Sequence, residues 1–409
     1  MTDHEQPSID PSATTEPLDE GSTLFRDITG VGLDWRSALL VPVLAILTAL
    51  VVSTVIIALT DLDALRMWGS DPAAAFDETW DTIFAAYKAL FQGSFGSIRA
   101  ISETLVGATP LILAGLSVAI GFRAGLFNIG TEGQMLVGGM CAILVGISFS
   151  APLFIHLPLA LLAGALGGAV WGGIPGLLRA RTGAHEVITT IMLNFIALRL
   201  VDYFLKTSLF QAEGRDDPVS QTVATSARFP RLLGFLDRSD VRVTFGILFA
   251  LAVAYGIYWL LYKSTIGYEF RAVGYNPDGA QYAGMNVAWL YVGVMAVAGA
   301  MGGLAGSDQI LSVLHRGTPG FSAGLGFDAI ALALLGRSHP AGVVAAGILF
   351  GALRSGGQQM QVATDLSIDL ILVIQALIVI FIAAPALIRA IYRVKTGKST
   401  EQLTRGWAA

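Results

Sequence analysis

Between residues 38 and 59 the chain carries no charged side chain, and an apolar run of that length matches the hydrocarbon thickness of a bilayer. Comparable runs follow at 102–122, 127–149, 153–178, 186–205 and 244–262, and a seventh ends near residue 311. Two shorter runs, 327–335 and 341–353, precede a last one at 366–388. Backbone groups in lipid must be satisfied internally, and runs this long suit helices rather than barrel strands. The chain therefore reads as an all-α integral membrane protein of about ten transmembrane segments, some short or broken. Pro110 is expected to break the second run, and one or both of the short runs are expected to be half-helices.

Composition excludes several other classes. Charged residues are 13% of the chain and hydrophobic ones 54%, with a mean hydropathy of +0.67. The 47 glycines suit close helix packing in lipid. A net charge of −5 lacks the basic face that nucleic-acid binding requires. Cys141 is the single cysteine, so a disulfide within the chain is excluded, and the five histidines are scattered without ligand spacing. No metal site is expected.

Three regions stand outside the spans. Residues 1–38 are polar and rich in Ser, Thr, Pro, Asp and Glu, which predicts a disordered tail. The domain 39–388 follows, with loops at 60–100 and 206–241 on one side of the membrane, and 389–409 form a basic tail. Within the first loop, 74–91 is expected to be an amphipathic helix lying on the outer surface; the second is long enough to hold a short helix. Arg123, Arg179, Arg181, Lys263, Arg271 and Arg337 all fall on the other side if the spans alternate. The positive-inside rule makes that side cytoplasmic and places both termini there.

The stretch 121–139, GFRAGLFNIGTEGQMLVGG, is too polar for a lipid-facing helix. Asn128, Glu132 and Gln134 sit at membrane depth, where polar groups face a protein interior or an aqueous path. Asn194 in the fifth run and Asp328 near the second break join them as candidates for a translocation pathway. Each could instead pin helices together by hydrogen bonding. A plain helix start, with Thr131 as N-cap and Glu132 in the first turn, also fits. A second glycine-rich break, GLGFDA at 324–329, resembles GLFNIG at 125–130, and paired broken helices mark transport sites.

The hydrophilic segment 263–286 holds a strong helix signal. Asn276 can cap, Pro277 fits the first helical position, Asp278 complements the helix dipole and Gly284 supplies a stop. The product is a short helix of about two turns. Phe270, Tyr275 and Tyr282 give it more aromatic surface than a linker needs, which suits docking of a soluble partner or anchoring at the headgroups.

Taken together, the stretches 103–139, 183–197, 266–286 and 316–357 resemble the membrane subunits of bacterial ABC importers in the branched-chain amino acid/ribose permease superfamily. Within it the likeness is greatest to nucleoside permeases that work with a basic-membrane-protein-type lipoprotein. It runs from about residue 40 to 390, in order, and leaves out the tail and loop 206–241. Where the superfamily carries Asn-Glu, this chain has His185-Glu186.

The resemblance implies a type II-like importer fold in a bacterial cell membrane, a second homologous permease, two cytoplasmic ATPases and an extracytoplasmic substrate-binding lipoprotein. It makes 263–286 the coupling element, with Arg271, Asn276, Pro277, Asp278 and Gly284 as its key residues. No GxxxxGK[ST] phosphate loop occurs in the chain, so ATP and magnesium are expected on the partner ATPase and no catalytic residue or cofactor here. The expected cargo is a small polar solute, a nucleoside first, with a simple sugar or branched-chain amino acid as alternatives. An ion-coupled carrier using Glu132, Glu186 or Asp328 is the competing class.

Overall fold

The computed structural model describes residues 35–392 except 61, 68, 235–239 and 365–368. The expected disordered tail and basic tail therefore lie almost wholly outside the described residues. The described chain is helical: α1 (Trp35–Thr60), α2 (Leu62–Met67), α3 (Pro72–Phe95), α4 (Ile98–Arg123), α5 (Thr131–Ser148), α6 (Leu153–Thr182), α7 (Glu186–Phe204) and α8 (Gly246–Lys263). Then come α9 (Thr265–Tyr275), α10 (Pro277–Tyr282), α11 (Val287–Asp308), a π-helical turn (Gln309–Leu314), α12 (Leu325–Leu335), α13 (Pro340–Thr364), α14 (Asp369–Ala383) and α15 (Pro385–Tyr392). Among the described residues, eight helices are long and apolar enough to span a bilayer, and Leu325–Leu335 and Asp369–Phe381 are shorter apolar ones. That agrees with the ten segments read from the sequence.

Small residues set the packing. Gly164, Gly168 and Gly172 of α6 face Gly299 and Gly303 of α11 so closely that a Cβ on Gly168 would lie 2.2 Å from the Gly299 oxygen. Small-xxx-small seams of this kind let helices associate in lipid, where no hydrophobic force drives them together. α4 runs antiparallel to α13, with Gly351 against Thr104 and Ala108, Gly347 against Ile112 and Gly115 against Val343. From Ala108 to Gly121, α4 is buried without interruption, so it forms the centre of the bundle.

Arg123, Arg179 and Arg271 share one end, the basic end, although Arg228, Arg231 and Arg242 lie at the other. Arg123 donates to the Ser338 oxygen at 2.9 Å, the Arg271 guanidinium lies 5.2 Å from the Tyr262 ring centroid, and Arg179 lies 4.9 Å from that of Tyr291. Loop 206–241 covers the opposite end, where the Ser102 hydroxyl accepts from the Arg242 and Val243 amides at 2.8 Å. A 3₁₀ turn, Thr225–Ala227, is the short helix within it, pinned where His156 Nδ1 meets the Ser226 hydroxyl at 2.8 Å.

Several boundaries differ from those read in the sequence. Pro110 does not break α4, because neighbouring helices enclose it and supply the stability that one lost backbone bond removes. The run at 341–353 is only the apolar half of α13, which continues through Gly356 and Gly357 because they pack on Leu90 and Ile371. The helix expected at 74–91 is present as α3. It packs lengthwise on α13, with the Ser94 hydroxyl donating to the Ala352 oxygen at 2.6 Å and that of Ser355 to the Gly93 oxygen at 2.8 Å. The last run divides at Ala384, ahead of Pro385.

Candidate functional site

Two interrupted helices start beside each other in the interior. After α4 ends, residues 124–130 turn back non-helically, with Gly125 in the left-handed region at φ 69°. Leu126 N–H donates to the Gly121 oxygen at 2.9 Å, and Asn128 is laid against α4. α5 then begins at Thr131. Its N-cap position is Gly130, which offers no side chain, so Thr131 is not the cap. The Thr131 hydroxyl lies instead 3.2 Å from that of Ser117.

Around this turn is a buried polar cluster. Asn128 Nδ2 donates to Gln134 Oε1 and to the Ser117 hydroxyl, at 3.1 and 3.2 Å. Asn128 Oδ1 accepts from Gln134 Nε2 at 3.1 Å and from the Gly130 amide at 3.0 Å. Asn194 of α7 donates to the Ile129 oxygen at 3.0 Å and accepts from the Gly133 amide at 2.9 Å. Buried amides are stable only when satisfied, and these are satisfied largely by one another.

Glu132 faces the other way. Its Oε2 accepts from the Gly326 amide at 2.8 Å, and its Oε1 accepts from the Ser322 hydroxyl. A carboxylate at the first turn of α12 meets free N–H groups and the positive end of the helix dipole. The turn at 125–130 and the start of α12 at 324–329, which is the first turn of a helix and not a break, are thus adjacent in space, and a Cβ on Gly326 would lie 2.3 Å from the Glu132 nitrogen. Asp328, half-buried one turn into α12, has Arg354 and Glu132 as its charged neighbours. Glu186 pairs with Arg179 and accepts from the Phe127 amide at 3.3 Å, which ties the start of α7 to the same turn.

Of the five pathway candidates, the structure gathers Asn128, Glu132, Gln134 and Asn194 around one turn and sets Asp328 beside them. Ser117 and Ser322 complete the cluster and were not singled out, since serine in a glycine-rich apolar run carries little signal. Asp308 was missed as well. It is fully buried in α11, with Oδ1 accepting from the Ser312 hydroxyl at 2.6 Å and Oδ2 without a hydrogen-bond partner among the described residues. A lone acid inside an apolar span is a signal the sequence does contain.

At the basic end, the segment 263–286 forms two helices. Ser264 caps α9 through the Gly267 amide at 3.0 Å. Asn276 caps α10 through the Gly279 amide at 2.9 Å, Pro277 opens it and Asp278 sits in its first turn. Gly284, at φ 85°, follows its end. Tyr275 and Tyr282 are both 94% exposed, whereas Phe270 is buried and belongs to the core, not to the docking surface read from the sequence. Arg271 stacks on Tyr262 and so braces the segment against α8.

Helices interrupted in the interior and joined through a buried polar cluster, within a bundle of bilayer-spanning helices, define a polytopic membrane permease. The chain belongs to the family described as branched-chain amino acid transport system / permease component, which matches residues 100–383. It is 41% identical over 309 residues to the guanosine ABC transporter permease protein NupP of Bacillus subtilis (strain 168), covering 75% of this chain and 88% of that one. It is 37% identical over 302 residues to a glucose ABC transporter permease protein of Haloferax volcanii, covering 73% and 79%. With the nucleoside ABC transporter permease protein NupB of Lactococcus lactis subsp. cremoris it shares 36% identity over 323 residues, covering 77% and 88%. No solved structure matches the chain at a significant level.

Proposed function

We propose that this chain is the membrane-spanning subunit of an ATP-driven importer that moves a nucleoside into the cell by alternating access. The observation that carries the nucleoside is the high identity, over most of both chains, to permeases named for guanosine and for nucleosides. ATP and magnesium bind a separate ATPase, which engages the exposed α9–α10 surface. A substrate-binding lipoprotein docks at the end covered by loop 206–241, and a second homologous permease completes the pore. The basic end is cytoplasmic, with both chain termini, in a bacterial cell membrane.

The cluster around Asn128 lines or gates the path, and selection rests largely with the lipoprotein. A relative named for glucose, at comparable identity, supports a sugar as the second reading. An ion-coupled carrier fits less well, since the relatives matched over most of the chain are named as ABC transporter permeases. The test is uptake by proteoliposomes holding the purified complex, with labelled guanosine, uridine, adenosine and glucose. ATP-dependent nucleoside uptake that survives an ionophore is expected. Uptake driven by an imposed ion gradient without ATP would overturn the reading, and glucose alone would change the cargo.

A further inference from the structure

The half-helix α12 is held at both ends by one short piece of chain. At its start, Glu132 accepts from the Gly326 amide at 2.8 Å and from the Ser322 hydroxyl. At its end, the Arg123 guanidinium spans two successive carbonyls, Nε to Ser338 at 2.9 Å and Nη2 to Arg337 at 3.1 Å. Arg123 closes α4 and Glu132 lies in the first turn of α5, so the two flank the non-helical residues 124–130. The signs are those the helix favours, an anion at its N-terminus and a cation at its C-terminus.

The Arg123 contact also has something to restrain. α12 ends in a Schellman arrangement, with Ser338 N–H donating to the Ala333 oxygen at 2.7 Å and Arg337 N–H to that of Leu334 at 3.0 Å. Such a cap places its C′ residue in the left-handed region, usually as glycine. Here Arg337 occupies it at φ 51°, and Ser338 follows at φ 51°. Side-chain-bearing residues persist there only when their surroundings over-determine them. The guanidinium fork fixes both of their carbonyls.

A third contact leads to this unit from the segment 263–286. A Cβ on Gly274 of α9 would lie 2.4 Å from the Arg123 oxygen, and one on Gly125 would lie 3.1 Å from the Gly274 Cα. Backbone thus meets backbone, with no side chain to absorb a displacement.

We propose that Arg123 and Glu132 are positioning residues that clamp α12 to the 124–130 turn, so that both move as one gate when α9 pushes on that turn through Gly274. The proposal rests on the importer reading for its role in transport, but the clamp can be measured without it. In a Cys141→Ala background, spin labels at Tyr275→Cys and Ala341→Cys report the distance between α9 and the start of α13. The full chain in nanodiscs should give one narrow distance. Arg123→Ala and Arg123→Gln should each broaden it, and Arg123→Lys, which returns one donor group, should restore it in part. A distribution left narrow by both Ala and Gln overturns the clamp, and Gln and Lys carry the test if the Ala variant does not insert.

In proteoliposomes with the partner subunits, the clamp predicts that solute moved per ATP hydrolysed falls about tenfold in Arg123→Gln. A loss of hydrolysis and uptake in equal proportion would make Arg123 a general packing residue and overturn the proposal. If the unmodified complex shows no ATP-driven uptake, the importer reading fails while the nanodisc distances still decide the clamp.

Discussion

Asn128 and Gln134 face each other amide to amide, each donating to the other at 3.1 Å. Removing Asn128 leaves Gln134 Nε2 buried without its acceptor, at a cost of about 1–3 kcal/mol, whereas removing Gln134 leaves Asn128 still bonded to Ser117 and the Gly130 amide. Asn128→Ala and Gln134→Ala should each lower the thermal midpoint in detergent, and the double variant should lose less than their sum because the orphan is gone. Each single variant should still insert while uptake falls about tenfold, the equivalent of about 1.4 kcal/mol of barrier. Strictly additive midpoints would show that the two amides do not act as a pair.

The helix α10, the proposed coupling element, has six residues and one side-chain cap. A helix so short is unstable alone, and loss of its cap costs about 1 kcal/mol. Asn276→Ala with Pro277→Gly should abolish substrate-stimulated ATP hydrolysis by the assembled complex and leave lipoprotein binding intact. Asp278→Asn removes only a dipole interaction of about 0.3–1 kcal/mol and should be milder. Full stimulation in the double variant would move the coupling site elsewhere.

The proposed orientation rests on Arg123, Arg179 and Arg271 lying at one end. With Cys141 replaced by alanine, a cysteine at Asp278 should be shielded from an impermeant thiol reagent outside intact cells. One at Asp217, on the loop covering the other end, should be labelled. The reverse pattern would invert the topology and remove α10 from reach of a cytoplasmic ATPase.

His339 lies in the turn between α12 and α13, its ring 5.4 Å from Tyr262 and 5.9 Å from Tyr258, with Arg123 near and Arg271 on the same Tyr262 ring. Burial first, then the charge of Arg123, push its pKa below the ordinary histidine value. The folded turn therefore takes up its proton at lower pH than the unfolded chain does. Between those two points the unfolded state binds more protons, so stability is full above the ordinary range near about 6.5 and declines as the pH falls below it. The protection of the 336–339 amides against hydrogen exchange, corrected for the intrinsic rate at each pH, should fall on acidification, and His339→Gln should flatten that response. Equal pH dependence in both proteins would exclude His339 as its source.

How much of this was legible depended on where the signal sits. Asn276, Pro277 and Gly284 act on their own backbone, so local rules placed the helix start and stop correctly. Asn128, Glu132, Gln134 and Asn194 stood out because polar groups are rare at that depth. Their partners did not: Ser322 meets Glu132 across 190 positions of sequence, and only the fold brings them together. The alternative reading of Thr131 as N-cap fails because Gly130 holds the cap position and the Thr131 hydroxyl meets Ser117 and Asn128. The length of α13 was hidden because Arg354, Ser355, Gln358 and Gln359 lower the hydropathy of its second half, although Gly356 and Gly357 pack like any membrane seam.

The glycine seam between α6 and α11 bears on how the bundle can move. Side chains that meet at a helix interface lose rotamer freedom as they pack; glycines have none to lose, so this contact forms without that entropic cost. The same absence removes any alternative interdigitation. Gly164, Gly168 and Gly172 recur every four residues, and the next register in which small faces small lies about 6 Å along the axis, at 1.5 Å per residue. A shift that large would tear α11 from every other neighbour. In an alternating-access cycle such as the one proposed, the pair is expected to keep one register and to act as the stator against which shorter elements such as α12 are displaced.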